Sequence, residues 1–363
     1  MLKELARMPR GFLDAPVIVF RKYPDRDQSN PARYARAIAL RGMLEYARIA
    51  GDHRVAEFVR RSYEFTLTQG IPRTGWINCY PAALNGVEGC ALGDLAALAI
   101  RLSDYGLGDY WDDVDALARN QLVEQQFIRP DILQSISNSC TEKDACEKDP
   151  PPGKLCYDNV IERSIGVYGG VATPTAVPGA WVMHCCTSNA TQGLYAVWEG
   201  TLRENGDTAI VNLLLNRAGR LADVDSWLPF EGRVVVRVKS ARRLAVRLPA
   251  WIDERGLRIQ LSGRPIHPPR IGRYMLFEDL HPRDTIELAF PVSETTASYT
   301  VNAHSPAEQV YNCTFRASTL VDISPRDQNS TSYPLYQRHH LRTASAPMKR
   351  VTRFVPSRVV RQW

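Results

Sequence analysis

The chain has no apolar run long enough to cross a bilayer, which argues against a membrane-spanning helix. Its opening residues, Met1-Leu2-Lys3-Glu4-Leu5-Ala6-Arg7, lack the apolar centre and small-residue cleavage site of a secretory leader. A cytoplasmic location is therefore expected. Cysteine is too sparse, at eight in 363 residues, for a disulfide scaffold, so reduced thiols and metal ligation are favoured. Acidic residues are missing altogether from Arg338 to Trp363, a stretch with seven Lys/Arg. The remaining 38 basic residues face 39 acidic ones, so the formal charge of +6 belongs to a tail. A solvated tail is expected, with no membrane or nucleic-acid partner, because no reader motif accompanies the charge.

What is present is an ordinary globular composition, 44% hydrophobic and 23% charged, in a chain long enough for two domains. The first two hundred residues carry helical periodicity. Asn30-Pro31 offers a cap, Ala37, Leu40, Leu44 and Ala47 line a face, and Gly51 ends the helix. A second helix from near Asp52 turns Val55, Phe58, Val59 and Ser62 inward and stops at Gly70. A third follows Glu88 with Leu92, Leu95, Leu98 and Leu102 on one side. A fourth runs from Asp109 to Phe127, before Pro130. Residues 131–180, with Pro150-Pro151-Pro152-Gly153, read as a long insertion or active-site loop. A fifth helix follows Cys186, with Leu194, Tyr195 and Trp198 on its face.

The hydrophobic period then falls to two. Val234, Val236 and Val238 alternate with other residues, as do Leu244, Val246 and Leu248, and Ile286, Leu288 and Phe290. Such runs predict a β-sandwich. The expected division is 1–205 helical, 206–300 β-sandwich and 301–363 a C-terminal extension with the basic tail; Phe315 to Ile323 reads as one further strand.

The chemistry concentrates in two places. Cys185 and Cys186 are adjacent in Trp181-Val182-Met183-His184-Cys185-Cys186, and Glu88-Gly89-Cys90 lies upstream. Three thiols and a carboxylate suit a tetrahedral zinc site, and one zinc-bound sulfur can serve as a nucleophile. Adjacent cysteines can also be small core residues. Cys140, Cys146 and Cys156 form a second cluster that reads as a disulfide, a metal site or a mobile loop; Cys79 and Cys313 read as lone structural residues. His184 is read as structural before it is read as a sugar ligand. Trp76, Trp111, Trp181 and Trp198 are read as core residues before stacking platforms.

These residues resemble glycoside hydrolase family 127, the β-L-arabinofuranosidase-like enzymes, over roughly residues 30 to 295. The resemblance rests on Glu88-x-Cys90 with Asp94 and the leucine-rich helix, and on Tyr110-Trp111 through Asp115 to Asn120. It continues in Cys185-Cys186 with Asn189 and Tyr195, and in Val211-Asn212-Leu213-Leu214. Its last parts are Arg247-Leu248-Pro249-Ala250-Trp251, Gly272-Arg273-Tyr274 and Asp284-Thr285-Ile286. It implies an (α/α)6 toroid followed by a β-sandwich, and zinc (Zn2+) held by Glu88, Cys90, Cys185 and Cys186. It also implies a retaining hydrolysis of furanosides, β-L-arabinofuranosides in particular, with Cys185 as nucleophile. The motif's acid five residues before an Asn falls on Asp115, the second catalytic candidate. A full toroid needs more than twice the helices legible here, so the first half is expected to be missing, leaving an open apolar side that invites a homodimer. Pro72 to Val87, where the resemblance places the general acid, contains no Asp or Glu. Asp115 and Glu64 are the acids left to consider. The reading from another class is a non-catalytic remnant, with a structural zinc and carbohydrate binding retained.

Overall fold

A computed structural model of the chain describes residues 34–79, 85–139, 159–343, 345–347, 349 and 351–355. The cluster Cys140, Cys146 and Cys156 lies outside the described residues. The fold mixes helices and sheets, and among the described residues no helix is long and apolar enough to cross a membrane.

The helical part starts with α1 (Tyr34–Ala50) and α2 (His53–Leu67). The Asp52 carboxylate caps α2 by accepting from the backbone N–H groups of Arg54 and Val55. Short strands β1 (Gly70–Ile71), β2 (Trp76–Ile77) and β3 (Val87–Glu88) lead into α3 (Gly89–Asp104). Leu92, Leu95, Leu98 and Leu102 are all buried, as the periodicity predicts. Next comes α4 (Trp111–Ala116), which continues as a π-helical stretch over Leu117–Leu122. The region expected to be a loop contains α5 (Pro130–Ser139), anchored by buried Leu133 and Ile136. After it come α6 (Val160–Ser164), β4 (Val171–Ala172) and β5 (Ala176–Val177).

The last helix, α7 (His184–Thr201), departs from the expected packing. Its buried side is Cys186, Ala190, Gly193, Ala196, Val197 and Gly200, whereas Tyr195 and Trp198 are half-buried. The cause is a close approach to α3. A Cβ on Gly193 would lie 2.2 Å from the Cα of Gly93, and one on Gly93 would lie 2.2 Å from the carbonyl oxygen of Asn189. Two helices this near leave room only for hydrogen and methyl groups, so the large side chains turn outward.

At Leu202 the chain changes to strands. One sheet pairs β6 (Leu202–Asn205), β7 (Thr208–Val211), β11 (Arg243–Arg247), β15 (Tyr274–Phe277) and β14 (Arg270–Ile271). A second pairs β8 (Arg217–Ala218), β9 (Ala222–Ser226), β10 (Arg233–Val238), β16 (Thr285–Ala289), β12 (Arg258–Leu261) and β13 (Arg264–Pro265). Val234, Val236, Val246, Met275, Ile286 and Leu288, from both sheets, share one apolar core. Arg247, almost fully buried, joins this part to the helices through Asp109 at 2.9 Å and Asp112 at 2.8 Å.

The chain then returns to the helices. A meander of β17 (Glu294–Val301), β18 (Gln309–Arg316) and β19 (Thr319–Ser324) is followed by β20 (Tyr333–Pro334), which pairs with β5. Val301, Cys313, Phe315, Leu320, Leu335 and Tyr336 belong to the helical core. The basic run is likewise not a solvated tail throughout. Arg338, only 7% exposed, pairs with Glu124 at 2.5 Å, Arg342 with Glu294 at 3.2 Å, and Arg353 with Asp225 at 2.7 Å. Charge counting along the chain missed these partners because they are remote in sequence.

Candidate metal and thiol site

The crossing of α3 and α7 places the first turns of both helices side by side. Gly89 starts α3, and a Cβ there would meet the Gly169 carbonyl oxygen at 2.9 Å and the Cys186 Cβ at 3.3 Å. β3 and β4 pair Glu88 with Val171, which brings Gly170 against the thiols. The Cys186 sulfur is 3.5 Å from the Cys90 sulfur and 3.3 Å from the Gly170 carbonyl oxygen. The Cys90 thiol donates to the Glu88 carboxylate at 3.2 Å. Cys90, Cys185 and Cys186 have all their sulfurs within 4.8 Å of one another. Cys90 and Cys186 are buried and Cys185 is half-buried, so Cys185 is the sulfur open to a ligand.

The electrostatics follow from this packing. The hydrogen bond between the Cys90 and Cys186 sulfurs holds the Cys186 thiol below its ordinary pKa. The same bond, and then burial, push the Cys90 thiol far up. Burial also raises the Cys185 thiol. Cys186 is thus the most readily ionised of the three, within the positive end of two helix dipoles. A cation would let the other thiols ionise as well. The three soft sulfurs suit zinc, and the Cys90–Cys186 distance is close to the about 3.8 Å of a tetrahedral zinc–thiolate pair, whereas the Glu88 carboxylate touches Cys90 and is not within 4.8 Å of all three sulfurs.

The other candidates are placed as follows. Asp115 is buried, and its carboxylate accepts from Arg119 at 2.8 and 3.0 Å and from the Ser318 hydroxyl at 2.7 Å. Asn120 accepts from the Leu320 N–H at 2.9 Å and donates to the Ser318 carbonyl at 3.0 Å. Both residues hold the β18–β19 turn onto the helices. Glu64 on α2 pairs with Arg60 at 2.6 Å and accepts from the Tyr110 hydroxyl at 2.8 Å. His184 is exposed at the start of α7. Trp76 and Trp111 are buried, and Trp198 is covered by the Arg217 guanidinium, 3.5 Å from its ring centre. Trp181 is 55% exposed, and its carbonyl accepts from the Gly170 N–H at 2.7 Å.

The sequence reading missed Gly170, whose carbonyl touches a thiol, and the Gly93–Gly193 crossing that aligns the helices. The recurrence of glycine and alanine along α7, opposite the glycines of α3, is the signal that was available for the crossing. No comparable signal marks the Gly170 carbonyl.

No family model matches the chain, and none of the curated proteins does. Solved structures do. A GH127 β-L-arabinofuranosidase from Geobacillus stearothermophilus T6 superposes with a TM-score of 0.50 at 13% identity, over 79% of this chain and 46% of that one. A second GH127 β-arabinofuranosidase gives 0.55 at 13% identity, over 79% of this chain and 47% of that one. A protein described as a glycoside hydrolase gives 0.51 at 14% identity, over 79% of this chain and 51% of that one. The chain thus spans about half the length of the solved structures it matches, and what it shares with these glycoside hydrolases is the fold.

Proposed function

We propose that this chain carries the thiol site of a retaining glycoside hydrolase acting on furanosides, β-L-arabinofuranosides in particular. The helical part is read as the second half of an (α/α)6 toroid, and the two sheets as its β-sandwich. The observation that carries the reading is the convergence of Cys90 with Cys185 and Cys186, 95 and 96 positions away in sequence, at two helix N-termini. The fold similarity to glycoside hydrolases supports it.

Glu88, Cys90, Cys185 and Cys186 would hold the zinc. Bound there, zinc would supply positive charge that keeps the sulfurs as thiolates. Cys185, the half-buried sulfur, would attack the anomeric carbon and displace the leaving group from the opposite face. Water would then attack that carbon and release Cys185, so two inversions give net retention. Gly170 and Glu88 hold Cys186 and Cys90 in place, and the backbone glycines keep the site narrow. Asp115 does not serve as the acid in this scheme, because Arg119 and Ser318 occupy its oxygens.

That occupied carboxylate favours the second reading: a non-catalytic chain with a structural zinc. Elemental analysis and hydrolysis assays separate the two. The enzymatic reading expects about one zinc per chain, release of arabinose from an arabinofuranoside, and loss of release with an intact fold in Cys185→Ser. Zinc at full occupancy without turnover would establish the structural reading. Absence of zinc after purification without chelator would remove both.

A further inference from the structure

A cavity of about 520 Å³, within the size range of small-ligand sites, lies where the helices, the loop at Pro229 and the C-terminal segment meet. None of Glu88, Cys90, Gly170, Cys185 and Cys186 lines it. The π-helical stretch over Leu117–Leu122 supplies Arg119 to its wall, and Val123 and Glu124 follow directly. A π turn is a poor helical geometry that recurs mostly at functional sites. Val123, Ile128, Pro334, Leu341 and Ile132 of α5 give the cavity apolar surface.

The polar part of the lining has donors in excess. Glu124 is its one carboxylate, and both oxygens are taken, by Arg338 and by the Tyr336 N–H, each at 2.5 Å. Arg338 also donates to Asn120 at 3.1 Å and to the carbonyls of Leu320 at 3.0 Å and Arg119 at 2.9 Å. One of its five N–H groups is left over. Arg119 reaches Asp115 and the Leu214 carbonyl through Nε and Nη2, and none of these bonds uses its Nη1. Arg129, exposed at the mouth, binds Asp131 through Nε and Nη2 and likewise keeps Nη1. Each arginine thus has a carboxylate partner, and what the cavity offers is N–H groups still lacking acceptors.

Thr319 is the discordant group. It lines the cavity at 3% exposure, and its hydroxyl is buried with no hydrogen-bond partner among the described residues. Its backbone is fixed on both sides, since Asn120 holds the Ser318 carbonyl at 3.0 Å and the Leu320 N–H at 2.9 Å. A buried hydroxyl in this condition is destabilising unless something outside the protein satisfies it. One rotamer step about its Cα–Cβ bond exchanges methyl and hydroxyl, which lets a bound acceptor draw the hydroxyl into the cavity. Tyr333, also in the lining, accepts from the Ile128 N–H at 3.1 Å and retains its own proton to donate.

We propose that this cavity binds a small organic carboxylate, its oxygens on Arg119 Nη1 and the Thr319 hydroxyl and its apolar body along Val123, Ile132 and Leu341. A carboxylate is an acceptor-only group and matches a lining of unused donors, and its bonds to arginine are charge-assisted. The apolar surface beside those donors favours a carbon chain over a bare inorganic anion. The proposal goes beyond the thiol site and does not depend on whether the thiols turn over a glycoside.

Ligand-detected NMR titration of the full chain tests it, with hexanoate, acetate, 1-hexanol and inorganic phosphate as probes. Hexanoate should bind about tenfold tighter than any of the others, because acetate lacks the buried methylenes, hexanol the charge and phosphate the apolar body. Thr319→Val should weaken hexanoate about fivefold, the loss of one hydrogen bond. It should not lower the urea midpoint, because the hydroxyl has no partner to lose. Val123→Glu, at a position 37% exposed, should abolish binding by setting a fixed carboxylate beside the arginines. Cys185→Ser should leave the hexanoate affinity unchanged. No binding of hexanoate, binding no tighter than that of hexanol or phosphate, or an affinity untouched by both Thr319→Val and Val123→Glu would overturn the proposal. So would loss of binding in Cys185→Ser, which would place the carboxylate at the thiols.

Discussion

Replacing Gly193 by alanine sets two opposed effects against each other at the helix crossing. In an unconstrained helix interior the change stabilises by about 1 kcal/mol, because glycine loses more backbone freedom. Here the new methyl would sit 2.2 Å from the Cα, 2.8 Å from the oxygen and 2.9 Å from the carbonyl carbon of Gly93. All three are backbone atoms, which cannot rotate aside. Restoring a contact of about 3.5–4 Å requires the helices to part by roughly 1.5 Å, at an overpacking cost of about 1–3 kcal/mol. The clash should therefore offset the gain or win, with a net loss of up to about 2 kcal/mol. The same displacement should widen the 3.5 Å gap between Cys90 and Cys186. Urea unfolding gives the stability, and the thiolate-to-metal absorption of the cobalt(II)-loaded protein reports the sulfurs. Gly42→Ala on α1 is the control, since a methyl added there would meet nothing within 4 Å; it should stabilise by up to about 1 kcal/mol. A Gly193→Ala protein as stable as Gly42→Ala, with an unchanged cobalt spectrum, would refute the account of the crossing.

Further expectations concern the polar joints. Arg247→Met should cost about 2–3 kcal/mol in urea unfolding, less than a fully enclosed pair because Asp109 and Asp112 retain some water. Burial pushes the Asp113 carboxyl up to about 6. Its folded pKa exceeds its unfolded value, so stability should fall as pH rises from about 4 through 6, by an upper limit of about 3 kcal/mol. Asp113→Asn should flatten that part of the stability profile and be the more stable protein at pH 8; an unchanged slope would contradict the burial argument. Asp115→Ala should leave Arg119 unpaired, cost about 3–5 kcal/mol, and make the 294–336 segment sensitive to protease. A stable, protease-resistant variant would free Asp115 from its structural assignment.

Much of this was legible from residue order alone, and the reasons differ by element. The leucines of α3 recur at helical spacing and are buried, because nothing but apolar packing governs them. The alternating valines of β10 likewise announce a strand. The cysteines were visible as a chemical type, but their meeting depends on Gly93 and Gly193, whose effect is a distance of approach and leaves no hydrophobic pattern. The tyrosine and tryptophan of α7 lie off its buried side for that reason: they are larger than the space available. Arg338 was misread because a run without acids looks solvated until Glu124, over two hundred residues earlier, is placed beside it. The Asp115–Asn120 pair matched a motif, while its partners Ser318 and Leu320 lie beyond the region the motif covers.

The late meander has a consequence for how the chain is made. Phe315, Leu320, Leu335 and Tyr336 complete an apolar core begun by α1, α2 and α3. The ribosome delivers those two contributions far apart in time, with the two-sheet part synthesised between them. The early helices therefore wait with unfilled apolar surface until the final strands emerge, and loops that long close slowly. The two sheets have a core of their own and can fold during that interval. Synthesis thus imposes an order on assembly, middle before beginning, and a nascent chain halted before Tyr336 would be a natural client for chaperones.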